Sequence, residues 1–400
     1  MKRFNFQKLL LGGLAAIAVA GIALNAVAAT MPNAGLHSNP LLKPVLFGFG
    51  ENKAPVVQAP KEHPIHDDDS FAKLTKAYGM MPYNKAELEF EITLPKDWTE
   101  IDIPPSLQDS SSQAIIGDLA RYTSPMIGTQ QVEVIVQGIH LDNEIDARSW
   151  LKNYMLSSGY SMQGEVTSEG IKNAAGLYVA AGIAGGTSTI EYASAHISGS
   201  YLLLATFKAP LSLQTYVKFL QKKSIDSFRI LYPKDDPIED QKVFTLVDSI
   251  KFTYPASWEV VATDFRDMNK LTAHLQTKSL SKIIDGFVRF VAVRRTRSTD
   301  AKTEIENQKK YFDDTMKLKF LKMLSTGKSD AYDRFIFNRY EVYDVQNIKG
   351  TSKIQEIHMA MLGDKDWYIF AFMFTPKEND NLYAWARNVQ TFHEILKSIK

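Results

Sequence analysis

His63-Pro64-Ile65-His66-Asp67-Asp68-Asp69 is the one local cluster of metal-ligand side chains in the sequence. Imidazole and carboxylate together could hold a divalent ion. Pro64 stiffens the spacing, however, and no third histidine falls at a helical interval. The surrounding proline-rich stretch also provides no pre-formed shell to orient the ligands. The cluster therefore reads as a solvated charged stretch. His140, His196, His274, His358 and His393 are scattered singly, with no catalytic partner at useful spacing.

A different chemistry attaches to Arg289, Arg294, Arg295 and Arg297, which crowd a valine-rich strand and its exit. A basic rim of this kind could dock an acidic protein patch or anionic lipid headgroups. The simpler reading is an edge strand kept from aggregating by its charges. Catalytic signatures are missing: there is no Gly-rich phosphate loop, no paired-histidine zinc helix and no Gly-x-Ser-x-Gly elbow. Cysteine is absent too, which excludes disulfides, thiolate metal sites, a cysteine nucleophile and a lipidated cysteine. A formal charge of +1 supplies no global field to recruit nucleic acid. The expectation is a non-enzymatic protein with no cofactor and no resident metal.

The elements that would position these residues follow from periodicity. Leu88, Phe90, Ile92 and Leu94 alternate with Glu87, Glu89, Glu91 and Thr93, so one face of this strand is buried. Pro95 ends its ladder and Trp98 covers its end. Gln131–Gln137 is a second strand, and Glu144–Ser157 a helix with Ala147, Leu151, Tyr154 and Met155 on one stripe. Three strands are expected over Gly176–Ala184, Thr187–Ile197 and Tyr201–Lys208. After Pro210, Ser212 would cap a closing helix carrying Leu213, Val217 and Leu220.

The whole order then recurs. Ile250, Phe252 and Tyr254 take the places of Phe90, Ile92 and Leu94, and Phe287–Arg294 is the second valine-rich strand. Ile305, Phe312, Met316 and Phe320 mark the stripe of its helix. Gly186-Thr187-Ser188 reappears as Gly350-Thr351-Ser352, Gly199 as Gly363 and Pro210 as Pro376. A last helix carries Trp385, Val389, Phe392, Leu396 and Ile399, with Asp380 or Asn381 as its N-cap. His196 lies near Glu191, but its counterpart in the second copy is Ala360, so no complete catalytic set is duplicated. The period is too long for a solenoid and indicates two copies of one α+β domain. Each would be an α/β/α sandwich, an antiparallel sheet covered by helices. Hydrophobic residues make up 45% of the chain and charged ones 23%, enough apolar material for two cores.

Ahead of the first copy, Lys2, Arg3 and Lys8 precede an uncharged apolar run from Leu9 to Leu24. Ala26-Val27-Ala28 follows as a small-x-small cleavage pattern, placing cleavage between Ala28 and Ala29 or one residue later. The alternative is an uncleaved anchor in the inner membrane. The expected organisation is a signal peptide over 1–29, a proline-rich and largely disordered tail over 30–86, and domains over 87–231 and 243–400. Within the tail, Phe71–Tyr78 is a short helix candidate docking it on the first domain.

An early strand ending in Leu94-Pro95-Lys96-Asp97-Trp98, repeated as Tyr254-Pro255-Ala256-Ser257-Trp258, precedes a central helix, a long meander and an amphipathic closing helix. This arrangement resembles the PsbP-like superfamily, which includes DcrB-like envelope proteins, once in each half. The doubled domain and the missing lipobox cysteine depart from that pattern. The resemblance implies sandwich domains used for docking on other proteins, and it carries over no catalytic residue. The resulting expectation is an adaptor, periplasmic or secreted, that docks on envelope proteins with no membrane span after signal cleavage. The alternative is a small-molecule or metal carrier using a cleft between the domains.

Overall fold

The computed structural model describes residues 62–103, 115–164, 174–184, 187–247, 250–277, 285–328, 335–347 and 353–400. The leader, with Ala28 and Ala29, lies outside these residues. The described chain divides into two compact units, essentially one for each copy of the repeat.

In the first unit a short helix α1 (Asp68–Leu74) leads into β1 (Thr75–Met80), β2 (Phe90–Pro95), β3 (Thr99–Ile101), β4 (Ile115–Thr123) and β5 (Glu133–His140). Helix α2 (Ala147–Ser157) follows, then β6 (Ser161–Met162), β7 (Ala174–Ala184), β8 (Thr187–Ser198), β9 (Tyr201–Pro210), α3 (Gln214–Asp226) and β10 (Arg229–Ile230). The main sheet is antiparallel, in the order β3-β4-β5-β9-β8-β7-β6, and β1-β2-β10 form a smaller sheet. Strand alternation explains the layering. Ile190, Tyr192, Leu203, Ala205 and Phe207 meet Val217, Leu220 and Ile225 of α3, and this core continues into Phe90, Ile92 and Leu94 of β2. Helix α2 lies against β7 and β8 and buries Ala147, Trp150, Leu151 and Met155.

The second unit repeats the plan. Its strands are β11 (Gln241–Val247), β12 (Ile250–Pro255), β13 (Trp258–Asp267), β14 (Lys270–Thr277) and β15 (Phe287–Arg294). Helix α4 (Ala301–Asp314) precedes β16 (Leu318–Gly327), β17 (Phe337–Asn347), β18 (Ile354–Gly363) and β19 (Trp367–Pro376), and α5 (Leu382–Ser398) closes the fold. The order β13-β14-β15-β19-β18-β17-β16 reproduces that of the first sheet strand for strand. One face carries Phe290, Ala371 and Met373, which form one core with Phe252 of β12 and with Phe392, Ile395 and Leu396 of α5. The other carries Val291, Phe370 and Phe372 against Ile305 and Phe312 of α4. Both units are thus helix-covered antiparallel sheets.

The duplication extends to single hydrogen bonds. Thr93 donates its backbone N–H to Ser227 Oγ at 2.8 Å, and Thr253 donates its own to Ser398 Oγ, also at 2.8 Å. Each serine ends a closing helix and so ties that helix to β2 or β12 of its unit. Ser227→Ala or Ser398→Ala is expected to weaken its unit by about 1 kcal/mol. Faster amide exchange at Thr93 or Thr253 respectively, with the other amide unchanged, is the measurement that checks it.

Several expectations are corrected. Residues 62–86 belong to the first unit and are not tail: Ile65 is 3% exposed within its core, and β1 pairs with β2 along its length. The helix expected over Phe71–Tyr78 stops at Leu74, because Thr75 turns extended and its hydroxyl donates to Phe71 O at 2.6 Å. Ser212 lies in a 3-10 turn and donates to Gln130 Oε1 at 2.7 Å, so it does not cap α3. The helix carrying Ile305 and Phe312 ends at Asp314, and Phe320 falls on β16. Lys317, at φ 56°, turns the chain between the two. Asn381 is the N-cap of α5, its side chain accepting from Ala384 N at 3.1 Å.

Candidate functional site

The four arginines do not form one surface. β15 is flanked by β14 and β19, so the edge-strand explanation of their charge fails. Arg289 is 6% exposed and faces α4 from the middle of the sheet. Its guanidinium lies 4.0 Å from the centroid of the Tyr311 ring and donates to His274 Nε2 at 3.0 Å. Burial lowers the Arg289 pKa, and burial followed by the adjacent cation pushes His274 down to about 4. His274 is therefore the neutral acceptor of this pair at physiological pH. A buried cation held by a π face and an imidazole is unreachable by a docking partner.

Arg294, Arg295 and Arg297 lie at the end of β15 and beyond it. Arg294 and Arg297 are exposed and Arg295 is half-buried. Arg294 is 6.0 Å from the Trp367 ring and Arg295 4.9 Å from the Tyr368 ring. The Arg295 guanidinium also donates to Asp364 O. Two of the three are thus drawn onto the aromatic start of β19, which leaves Arg297 the one more fully turned to solvent.

The histidine–aspartate cluster is spent on local structure. Asp67 accepts from Ser70 N at 2.8 Å and caps α1 in a reciprocal box with Ser70. His63 folds back on Ile65 N at 3.0 Å and meets the Tyr216 ring edge-on at 4.9 Å. Burial lowers its pKa. His66 contacts His63 O at 3.2 Å, and Asp68 pairs with Lys223 at 2.6 Å. Among the described residues no group of three or more His, Asp or Glu side chains converges as a metal site would require.

Spacing on strands reveals two polar groups that helical and motif-based reading passed over. Glu356 and His358 are two apart on β18 and therefore share a face. His358 Nε2 is 3.3 Å from Glu356 Oε2, and Tyr340 Oη is 2.7 Å from His358 Nδ1. Trp385 of α5 donates to the same Glu356 oxygen at 2.8 Å. Burial raises the Glu356 pKa, but the hydrogen bonds from His358 and Trp385 outweigh it and leave the carboxyl below its usual range. His393 stacks on Tyr340 at 5.6 Å, and its pKa is pushed down to about 4, chiefly by burial. The chain Glu–His–Tyr resembles a proton relay in outline only. Glu356 and His358 are 7% and 4% exposed, and the phenol at the far end of the chain packs against Phe392 and His393 of α5. These residues lock α5 to the sheet.

The first unit holds the parallel case. Ser194 Oγ is 2.7 Å from His196 Nε2, and Phe228 meets the imidazole edge-on at 4.9 Å. Glu191, the expected neighbour of His196, projects from the opposite face and bonds Thr189 Oγ1 at 3.2 Å. Its pKa is raised, foremost by burial. The buried histidines and carboxylates named here thus contact neighbouring side chains of their own units.

The accessible asymmetry lies at the sheet rims. In the first unit the outermost strands β3 and β6 have three and two residues. In the second, β13 and β16 each have ten. β16 pairs with β17 on one side and has no strand on the other among the described residues. Leu321, Met323 and Leu324 are exposed along it by 42%, 47% and 41%.

No family model matches the chain, and no curated protein matches it. Among solved structures it is similar to cyanobacterial PsbP from Synechocystis sp. PCC 6803, at 15% identity and a TM-score of 0.28, over 39% of this chain and 92% of that one. It is likewise similar to the Ran-binding protein Mog1p of Saccharomyces cerevisiae (12%, TM-score 0.30, 40% and 95%). A third is LpqN of Mycobacterium tuberculosis, a protein involved in cell envelope biogenesis (12%, TM-score 0.27, 42% and 98%). The likeness is remote, extends to small α/β/α folds in general and assigns no single family.

Proposed function

We propose that this chain is an exported, non-enzymatic binding protein that docks on proteins of the cell envelope through its tandem sandwich domains. The observation that supports this reading is the contrast between interior and rim. The buried histidines and carboxylates described above are engaged with neighbouring side chains of their own units, while the second domain presents ten-residue strands at both sheet edges. Long open edges are normally suppressed in monomeric proteins, and their retention here fits a surface kept for a partner. The amino-terminal leader carries the chain out of the cytoplasm, with cleavage at Ala28–Ala29. No helix among the described residues is long and apolar enough to cross a membrane. The similarity of single domains to proteins with binding or envelope roles is in keeping with this reading.

Crosslinking the tagged chain in cells, then recovering it from the envelope fraction for mass spectrometry, tests the proposal. Repeated recovery of the same envelope protein, with a mature amino terminus near Ala29, is the expected result. Recovery of the chain alone and soluble sinks it.

A further inference from the structure

We propose that β16 is a strand-addition site that takes an extended, acidic segment of a partner protein; this rests on the docking function proposed above and gives it an address. Three observations carry it. Among the described residues no strand covers the outer side of β16, so its outward backbone N–H and C=O groups can extend the ladder. The run Thr315–Lys328 contains Lys317, Lys319, Lys322 and Lys328 and no acidic residue. None of the four lysines forms an ion pair among the described residues. The carboxylates nearest in register are already engaged: Asp344, opposite Lys322, binds Lys377 at 2.8 Å, and Glu341, opposite Thr326, pairs with Arg339.

Charge selects the occupant. A second β16 laid alongside would juxtapose lysines, and like charges directly opposite are destabilising. An acidic strand would neutralise them, and its apolar residues would cover Leu321, Met323 and Leu324. The other rim of the sheet is built differently. β13 carries Glu259, Asp264 and Asp267, and Arg266 binds Asp264. The ladder of β16 to β17 slips at two places, between Phe320 and Lys322 and between Met323 and Ser325. Such bulges bend an edge away from flat self-pairing. The site therefore discriminates against copies of itself while remaining open to a flexible acidic segment.

The test is fluorescence anisotropy of the purified full chain with a labelled peptide of about ten residues alternating glutamate and valine. Saturable binding is expected, and it should weaken with salt. The variant Lys319→Glu with Lys322→Glu should weaken it about tenfold or more. Lys319→Ala with Lys322→Ala, folded as judged by an unchanged melting curve, should give an intermediate loss. A peptide N-methylated at alternate residues keeps its charge but cannot complete the ladder, and should not bind. Equal binding of both peptides would reduce the site to charge attraction and overturn strand addition. No binding, or dimerisation of the chain through β16 in sedimentation, would also overturn it. Crosslinks to an envelope protein that all fall away from β16 would sink this site while leaving the docking function standing.

Discussion

Phe312→Ala is expected to destabilise the second domain by about 3–5 kcal/mol, the range for emptying an aromatic site in a close-packed core. The ring is fully buried where α4 meets the sheet. It lies 4.8 Å from Phe372 and 5.4 Å from Phe374, both edge-on, and 6.3 Å from Phe320 of β16. Its loss removes dispersion contacts with three strand residues and leaves a void that helix and sheet cannot close independently. Phe312→Leu should recover most of the loss. Urea unfolding followed by hydrogen exchange, resolved by domain, separates the outcomes. Strands β15 to β19 should lose protection while β4 to β9 keep theirs. A change below about 1 kcal/mol would mean that α4 is not seated by this ring.

Acidification should weaken the first domain through His196. Buried beside Ser194 and Phe228, this imidazole has its pKa pushed down by burial, from 6.5 to about 4. In the unfolded chain it takes up a proton near pH 6.5, whereas the folded domain accepts one only near pH 4. Unfolding therefore binds a proton between these values. Stability is whole above the unfolded value and falls as pH drops through the window. The full loss is about 3 kcal/mol from this one group. His196→Leu should flatten the slope in the first domain without touching the second. An identical slope in the variant would assign the acid sensitivity elsewhere.

The duplication was legible because both copies spell the same strand, proline and tryptophan, and because the period of the repeat is too long for a solenoid. The meander was equally clear, since Thr187–Ile197 and Tyr201–Lys208 alternate around a glycine turn. Other features were hidden for physical reasons. Thr75–Met80 looks weakly helical by composition and becomes a strand because β2 offers a backbone ladder on its free side. Arg289 read as surface because charge is normally exposed, yet Tyr311 and His274 take it in from two other elements. Neither Tyr311 nor His274 is near it in sequence, so no local pattern could reveal them. Glu356 and His358 were within reach: two-residue spacing on a strand is as informative as four-residue spacing on a helix. The length of β16 was obscured by its lysines, which make an exposed strand resemble a loop.

Each domain also ties its last residues back to an early strand. Ile230 pairs with Phe90, and Leu231 N donates to Glu89 O at 2.9 Å; Lys251 and Lys400 exchange backbone bonds at 3.0 and 2.8 Å. Chain ends generally lie at the surface of a domain, so they can be joined and the chain cut elsewhere with its layers intact. Either domain should accept circular permutation, with new ends opened in the hairpin turn between β8 and β9 or between β18 and β19. The same closure makes head-to-tail gene duplication a small step, because a second copy can be appended without threading through the first. It also sets a slow folding clock, since the seam forms only when residues far apart in the sequence have met.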